Sequence, residues 1–333
     1  MKLSILDQIP VPNGLTPQQA LHNSVALAKM ADDIGYERFW LAEHHSTRTL
    51  ASSAPEITAS FIAAQTNRIH VGTGGIMMMH YSALKIAEQF NTLSALAPGR
   101  IDLGLGRAPG GDYAATFALA QGKRPYVDEQ YQKLEAIQHL MAGEKSEDQA
   151  YSQVIATPFK VAPASMWLLG STGQSAAKAA DYGVGYSFAQ FFSGQATQEI
   201  FQIYRDRFIP TMFMEKPQII VSYAATVAPT EEEAEFRALP IDISRLWLMR
   251  GEMQPALTSE QAQEYPLSEM DKMQIEHNRK LHLVGTKEQV AEKLLQDQET
   301  YGFDEVMINS NQSSFEHRLE SYQLLAQQLL TSK

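Results

Sequence analysis

The chain has 333 residues and no cysteine, and its 27 Lys and Arg against 38 Asp and Glu give a formal net charge of −11. Without cysteine there can be no disulfide, thiolate-bound zinc, iron–sulfur cluster or cysteine nucleophile. The acidic balance disfavours nucleic acids and anionic membranes, which attract clustered Lys and Arg. No stretch approaches the roughly 18 consecutive apolar residues of a membrane span, and the first residues are too polar for a secretory signal. We therefore expect a cytoplasmic globular protein with no nucleic-acid or membrane partner.

Short β-rich runs alternate with amphipathic stretches along the whole chain. The predicted strands are Leu3–Leu6, Arg38–Ala42, Ile69–Gly72, Ile101–Leu105, Trp167–Leu169, Tyr186–Ala189, Gln218–Val227 and Glu305–Ile308. Helices are predicted over Pro17–Gly35, Pro55–Gln65, Ala83–Leu96, Asp128–Met141, Gln174–Tyr182, Thr197–Phe208, from Glu231 onward, Glu288–Tyr301 and Phe315–Leu330. Eight such units predict the α/β class and favour a closed (β/α)8 TIM barrel over an open sheet, as one domain over residues 1–333.

Three stretches interrupt the alternation, after predicted strands four and seven. Ala108–Tyr126 contains Gly and Pro, Gly143–Ala164 is predicted to carry a short hairpin, and Pro240–His282 is a long, polar, Met-bearing loop. Loops of this length in a barrel are often lids or binding segments. We expect three insertions, at about 108–126, 143–164 and 240–282, with the last closing over the active site.

Polar residues and glycines collect where the predicted strands end, which is where barrel enzymes place their active sites. The second strand ends in Glu43-His44-His45. Because side chains alternate along a strand, His44 shares a face with Trp40 and Ala42 and is the histidine expected in the cleft. Three interpretations stay open for it: a general acid or base, a structural hydrogen-bonding histidine or, with poor ligand spacing and least favoured, a metal ligand. No metal site is predicted.

The run from Gly170 through Ser171, Thr172, Gly173 and Gln174 to Ser175 passes from a strand directly into a helix. Free amides at a helix N-terminus, together with hydroxyls, make a phosphate cradle, although a plain Ser/Thr N-cap would look the same. Arg107, at the end of the preceding strand, would supply positive charge if it is not simply a solvated surface residue. This combination favours a phosphate site.

Two glycine-rich strand ends add to this pattern. The Gly104–Gly110 run fits a dinucleotide fingerprint poorly and instead leaves room for a flat ring near the backbone. Gly74-Gly75 indicates unusual backbone geometry, unless it is an ordinary turn.

Taken together, these strand ends resemble the bacterial luciferase-like flavin monooxygenase superfamily, and in particular the luciferase family oxidoreductase group 1. The matching stretches are WLAEHH (40–45), RIHVGTGGIMM (68–78), AEQFNTLSALAPGRIDLGLGRAPG (87–110), WLLGSTGQSAAKAADYG (167–183) and LVGTKEQVAEKL (283–294). The resemblance covers nearly the whole chain and is weakest over 240–282. It implies a (β/α)8 barrel that binds FMN or reduced FMN, usually as a homodimer.

Carried over residue by residue, the resemblance makes His44 the catalytic histidine. It gives Arg107, Ser171 and Ser175 contacts to the flavin phosphate, within a cofactor-binding set of Gly74, Gly75, Arg107, Gly170, Ser171, Thr172, Gln174 and Ser175. Gly74-Gly75 matches a non-prolyl cis peptide beneath the flavin ring. Gly106 replaces a luciferase cysteine, and Gly170 replaces an acidic residue. Both departures argue against light emission and long-chain aldehyde specificity.

The activity that the resemblance implies is that of an alkanal-monooxygenase-like enzyme. Reduced FMN from a separate NAD(P)H:flavin reductase would react with O2 to give a peroxyflavin, which oxidises a small organic substrate. Two alternatives remain at this point: hydride transfer with deazaflavin F420, and a non-catalytic flavin-binding protein.

Overall fold

The computed structural model describes residues 1–123 and 130–330. Within them, nine parallel strands lie in one sheet, eight of which close into a ring in the order β6-β5-β4-β3-β2-β1-β9-β7, with β7 pairing back to β6. The ninth, β8, pairs only with the end of β7, outside the ring. The strands are Lys2–Asp7 (β1), Arg38–Leu41 (β2), His70–Met77 (β3), Ile101–Gly106 (β4), Ser165–Gly170 (β5), Gly185–Ala189 (β6), Ile219–Val227 (β7), His282–Gly285 (β8) and Glu305–Asn309 (β9).

Helices surround this ring and cover the outward face of every strand. They are Pro17–Ile34 (α1), Pro55–Ala63 (α2), Ala83–Leu96 (α3), Tyr113–Leu119 (α4), Gln130–Ala142 (α5), Gly173–Asp181 (α6), Gln190–Ser193 (α7), Gln198–Arg207 (α8), Glu231–Met249 (α9), Ser259–Gln263 (α10), Glu269–Asn278 (α11), Lys287–Tyr301 (α12) and Phe315–Leu329 (α13). The starts of helices are specified locally: in α1, for example, the Thr16 side chain accepts a hydrogen bond from the Gln19 amide, and Gln19 Oε1 accepts one from the Thr16 amide. In the part of the chain that the structure describes, no helix combines the length and apolarity needed to cross a bilayer.

Strand alternation divides the apolar residues into two cores. Outward-facing strand residues such as Ile5, Val71 and Leu103 are fully buried beneath the helices. Inward-facing residues fill the middle of the barrel, where Trp40 and Trp167 meet edge to face at 5.5 Å between ring centroids. The barrel interior is therefore a packed core and not a channel.

An ion-pair network closes the N-terminal end of the barrel. Arg38 donates to Asp102 at 2.8 Å and to Glu305 at 3.1 Å, and Trp40 Nε1 donates to Asp102 at 2.9 Å. Burial alone would raise the pKa of Asp102, but Arg38 lowers it to about 2. These paired charges fill the N-terminal end, whereas the polar and glycine-rich strand ends lie at the C-terminal end, called the mouth below.

The predicted TIM barrel is confirmed, while two local predictions are wrong and one strand was missed. Residues 143–164, all of them described, contain no strand, so the predicted hairpin is absent. Most of the predicted loop at 240–282 is helical: α9 continues through Pro240 to Met249, and α10 and α11 follow. Strand β8 was not predicted. Parts of the predicted 108–126 insertion and 128–141 helix, and the last three residues of the 1–333 domain, lie outside the described residues.

Candidate active site

Small residues occupy the mouth end of β2, β3 and β4. Alternation points Ala42, Gly74 and Gly106 inward there, so this part of the floor has almost no side chains. A Cβ added to Gly74 would lie 2.8 Å from Leu6 Cδ1, and one added to Gly75 would lie 2.7 Å from the Gly104 carbonyl oxygen. The Gly74–Gly75 peptide bond is cis, which confirms the geometry that the resemblance implied. The floor therefore exposes backbone to any flat group that enters.

His44 stands beside this bare floor, just beyond β2. Its amide donates to the Ser52 carbonyl at 2.8 Å, which fixes the backbone. Its side chain is largely buried, and Nδ1 has no hydrogen-bond partner among the described residues. Burial, and secondarily the nearby His45, lowers the pKa of His44 to about 4, so the ring is neutral at pH 7. A neutral imidazole with a free nitrogen can accept or hold a proton for a ligand.

Metal binding by Glu43-His44-His45 finds no support in this geometry. Within residues 1–123 and 130–330, no group of three or more His, Asp or Glu side chains is arranged to hold a metal ion.

The fully buried carboxylate of Glu43 organises this strand end, and the sequence analysis missed its part. Oε1 accepts hydrogen bonds from His45 Nε2 at 2.6 Å and from the Tyr81 hydroxyl at 2.8 Å, while Oε2 accepts from the Met77 amide at 2.9 Å. A carboxylate can only accept, so His45 carries its proton on Nε2. Glu43 thus ties the ends of β2 and β3 together and fixes His45 next to His44. Glu43 could have been singled out from the sequence, because it is a carboxylate at an outward, buried position within the WLAEHH stretch.

Two positive side chains lie close to the ring of Tyr131 near the end of β4. Arg107 Cζ is 4.6 Å from the centre of the Tyr131 ring, and Lys178 Nζ is 5.7 Å from it. The Tyr131 hydroxyl oxygen is buried and has no partner among the described residues. Sequence reasoning identified Arg107 but neither Tyr131 nor Lys178. Lys178 could have been predicted from the sequence, because it lies four residues after Gln174 on the same helix and therefore on the same face.

The turn from β5 into α6 is built by its own side chains. Thr172 caps the helix by accepting from the Ser175 amide at 3.3 Å, and Ser175 Oγ donates to the Thr172 carbonyl at 2.8 Å. Ser175 is fully buried, and its hydroxyl also lies 3.0 Å from the Tyr186 hydroxyl. A Cβ at Gly170 would lie 2.1 Å from Ser175 Oγ, so only glycine fits there. The structure thus gives Ser175 and Gly170 contacts that hold the turn.

The first amides of α6 remain available for a ligand. Gly173 and Gln174 occupy the first two helical positions, whose N–H groups have no acceptor within the helix. The partly exposed Ser171 precedes these amides, and Arg107 and Lys178 both lie close to the Tyr131 ring in the same region. Positive charge, a helix N-terminus and an unpartnered hydroxyl together suit an anion.

The segment formed by α9, α10 and α11 lies against two loops of the mouth. The Asn13 amide, in the loop after β1, donates to the Ala256 carbonyl at 2.9 Å. Arg245 on α9 donates to the Phe191 carbonyl at 3.4 Å, in the short helix that follows β6. The segment is therefore positioned to limit access to the mouth.

Two surface depressions lie elsewhere. One is lined by Met1, Glu37 and Leu330 at the opposite end of the barrel, and the other by Thr230, Phe236 and Gln263 on the outer side of α9. Neither contains any residue of the mouth. The candidate site is defined by its side chains and backbone and not by these depressions.

Comparison with known proteins agrees with this geometry. Residues 1–305 match the family of luciferase-like monooxygenases. N-acetyl-S-alkylcysteine monooxygenase of Bacillus subtilis (strain 168) is 36% identical, over 100% of this chain and 99% of that protein. Uncharacterized protein YwcH of the same strain is 40% identical, over 98% of both chains. The crystal structure of apo-MsnO8 has a TM-score of 0.90 at 34% identity, covering 99% of both chains.

More distant solved structures share the fold alone. The oxygenating constituent of 3,6-diketocamphane monooxygenase from Pseudomonas putida, in complex with FMN, has a TM-score of 0.72 at 17% identity, over 99% of this chain and 97% of that one. An F420-dependent secondary alcohol dehydrogenase has a TM-score of 0.68 at 12% identity, over 96% of both chains. From its family match over residues 1–305 and its relatives of full length, this chain belongs to the luciferase-like monooxygenase family.

Proposed function

We propose that the protein is an FMN-dependent monooxygenase that uses reduced FMN and O2 to oxidise a small organic substrate. The observation that carries the proposal is the corner where the end of β4 meets the start of α6. There Arg107 and Lys178 lie near the ring of Tyr131, whose buried hydroxyl has no partner among the described residues, and the first two amides of α6 have no acceptor within the helix. A phosphate monoester supplies the charge and the acceptor oxygens that such a corner lacks.

The residues at this corner divide the binding of the phosphate between them. Arg107, Lys178 and the amides of Gly173 and Gln174 would contact it, and Ser171 and Tyr131 would donate from their hydroxyls. Thr172, Ser175 and Gly170 would hold the turn in place through the contacts described above. The bare floor at Gly74, Gly75 and Gly106 would then receive the flavin ring.

When bound, reduced FMN supplies two electrons, so that one atom of O2 enters the substrate, the other leaves as water and FMN is regenerated. The protein's part is to exclude bulk water and to control protons. His44, neutral and with Nδ1 free, would hold or accept a proton at the edge of the floor. The α9–α11 segment would restrict access of water from above.

Three further parts of the proposal concern partners and location. A separate NAD(P)H:flavin reductase would supply the reduced flavin. The enzyme would then lie in the cytoplasm together with this reductase. A homodimer would form through α2 and α3, whose Ile57, Phe61 and Leu96 are 68%, 54% and 71% exposed. Such exposed apolar patches are typical of interfaces.

A polar thioether is the first substrate to test, since a relative of full length is named for S-alkylcysteine oxidation.

Anaerobic titration of the protein with FMN, reduced FMN and F420 tests the cofactor. We expect Arg107→Ala to weaken binding of reduced FMN about 10- to 100-fold, since charge-assisted hydrogen bonds contribute about 1.5–3 kcal/mol. Lys29→Ala, which removes a charge from an exposed position on α1, is the matched control and should bind as wild type does. Binding of F420 in preference to both FMN forms, or equal binding by the Arg107 variant, would refute the assignment.

Turnover distinguishes an enzyme from a protein that only binds flavin. With reductase, NADH and a polar thioether, a monooxygenase forms sulfoxide in proportion to the O2 consumed. A non-catalytic flavin-binding protein yields only hydrogen peroxide and no sulfoxide.

A further inference from the structure

The inward positions at the mouth divide into two halves of different chemistry. On β2, β3 and β4 they are Ala42, Gly74 and Gly106, as described above. On the four neighbouring strands β1, β9, β7 and β6, inward positions include Gln8, Asn309, Ser222 and Ser187, although Ala224 on β7 and Ala189 on β6 lie nearer the mouth than the serine of the same strand. The first half is bare, whereas the second carries two amides at the mouth and two hydroxyls one inward position deeper; we call this second half the polar half.

We propose that the polar half is the substrate subsite, and that it selects small organic substrates carrying a secondary amide close to the atom that is oxidised. This inference rests on the proposed function and adds the substrate class to it. The bare half, which continues directly from Gly106 into Arg107, is the half that a phosphate-anchored flavin ring reaches, so the polar half stays free for the second reactant.

The amide side chains of the polar half have unused hydrogen-bonding groups. Asn309 is only 4% exposed, yet the one hydrogen bond that its side chain makes to a described residue is a long one of 3.4 Å from Nδ2 to the Leu6 carbonyl. Gln8 accepts from Asn311 Nδ2 with its oxygen, and its NH2 group, like the Asn309 oxygen, has no partner within residues 1–123 and 130–330. Asn311 Oδ1 is buried and has no partner among the described residues. A ligand could therefore accept a hydrogen bond from the Gln8 NH2 group and donate to the oxygens of Asn309 and Asn311.

Two hydroxyls complete this half. Ser187 and Ser222 are each 3% exposed, and neither hydroxyl is hydrogen-bonded to any residue that the structure describes. A hydroxyl can donate or accept, so these two can adapt to either end of a polar ligand. Asn311 Oδ1, which is buried and has no partner among the described residues, is costly to leave unpaired, and this favours a ligand that donates a hydrogen bond to it.

A secondary amide fits this inventory because it brings one N–H donor and one C=O acceptor on adjacent atoms. The N–H would meet the free oxygen of Asn309 or Asn311, and the C=O would meet the Gln8 NH2 group or a serine hydroxyl. A hydrocarbon of the same shape would offer these groups no hydrogen bond. Sites built to pair with a polar group reject its apolar analogue more strongly than apolar sites reject polar ones.

A matched pair of thioethers tests the proposal. N-[2-(methylthio)ethyl]acetamide and methyl 4-methylpentyl sulfide have the same skeleton and the same oxidisable sulfur, but an isobutyl group replaces the acetamide in the second. Binding of each to the FMN-loaded protein is measured by saturation-transfer NMR, and sulfoxide formation by coupled assay with a flavin reductase. We expect the amide to bind at least about tenfold more tightly, which corresponds to one good hydrogen bond.

Variants of the polar half should remove this preference without removing the flavin. Asn309→Leu and Gln8→Leu replace an amide with an apolar group of similar size, and Ser222→Ala is the milder change if either leucine variant fails to fold. Gln18→Leu, the same substitution at an exposed position on α1, is the control. We expect the control to keep the tenfold preference, and each floor variant to lower it at unchanged FMN affinity.

The outcomes separate this inference from the proposed function. Normal FMN binding with equal affinity for the two thioethers, or with no detectable binding of either, overturns the substrate subsite and leaves the cofactor assignment standing. An amide preference that survives in all three floor variants also overturns it. Failure of the wild-type protein to bind FMN refutes the proposed function, and the subsite falls with it.

Discussion

The lowered pKa of His44 makes the unfolding free energy fall as the pH is lowered. In the unfolded chain an imidazole has a pKa of 6.5, whereas burial and the neighbouring His45 lower the pKa of folded His44 to about 4. Between these values the unfolded state holds more protons, so acid stabilises the unfolded state. The contribution of His44 is therefore fully present above pH 6.5, is lost as the pH falls toward 4, and amounts to about 3 kcal/mol.

Replacing His44 with glutamine isolates this contribution from other buried groups. Wild type should lose about 3 kcal/mol more unfolding free energy than His44→Gln between pH 7 and pH 4, when both are measured by urea denaturation. His282 is also buried, with its pKa well below 6.5, but it is present in both proteins and cancels. His22→Gln, at an exposed position on α1, should follow the wild-type profile.

Direct titration is the sharper test of the same reasoning. The Cε1–H resonance of His44, assigned by its loss in His44→Gln, should show no midpoint above pH 5. A midpoint at 6.5 or higher would mean that the ring is solvated or charge-stabilised. It would also remove the argument for a neutral proton acceptor at the mouth.

Three other predictions follow from contacts. Gly104→Ala should lower the free energy of unfolding by about 3 kcal/mol, because its Cβ would lie 2.0 Å from the Thr73 carbonyl oxygen. In the control Gly173→Ala, the Cβ would meet only Ile203 Cδ1, at 3.5 Å. Equal melting temperatures for the two variants would contradict the prediction. Glu43→Gln should lower the unfolding free energy by about 1–3 kcal/mol in urea denaturation by weakening the links to His45 and Tyr81, and wild-type stability would speak against that role. Phe61→Glu should convert the proposed dimer to a monomer in analytical ultracentrifugation, whereas an unchanged mass would exclude α2 from the interface.

The barrel could be predicted from the sequence because its signals are local. Apolar strand runs, helix periodicity and end signals such as Gly35, which adopts a left-handed conformation after α1, act within a few residues of one another. The segment 240–282 was predicted as a long, polar, Met-bearing loop, whereas α9 continues through Pro240 to Met249. Capping signals for the next two helices were present at Thr258 and Ser268, but these helices are short and their apolar pattern is weak.

The site was predictable only where chemistry follows a strand end directly. His44, Arg107 and the Gly170–Ser175 turn are found by that rule. Tyr131 and Glu43 are not, since their parts come from contacts made by separate segments: Tyr131 with Arg107, and Glu43 with Tyr81 and the Met77 amide. Such contacts depend on how helices pack against the barrel, and a single sequence does not display them.

The three levels of the barrel interior limit where chemistry can occur. At the N-terminal end lie the paired charges of Arg38, Asp102 and Glu305, and above them the Trp40–Trp167 contact fills the middle. The floor at the mouth is therefore the level at which we propose that ligands bind. With the flavin on the bare half and the substrate on the polar half, as proposed, the two reactants would lie side by side, which is the arrangement that transfer of one oxygen atom to the substrate requires.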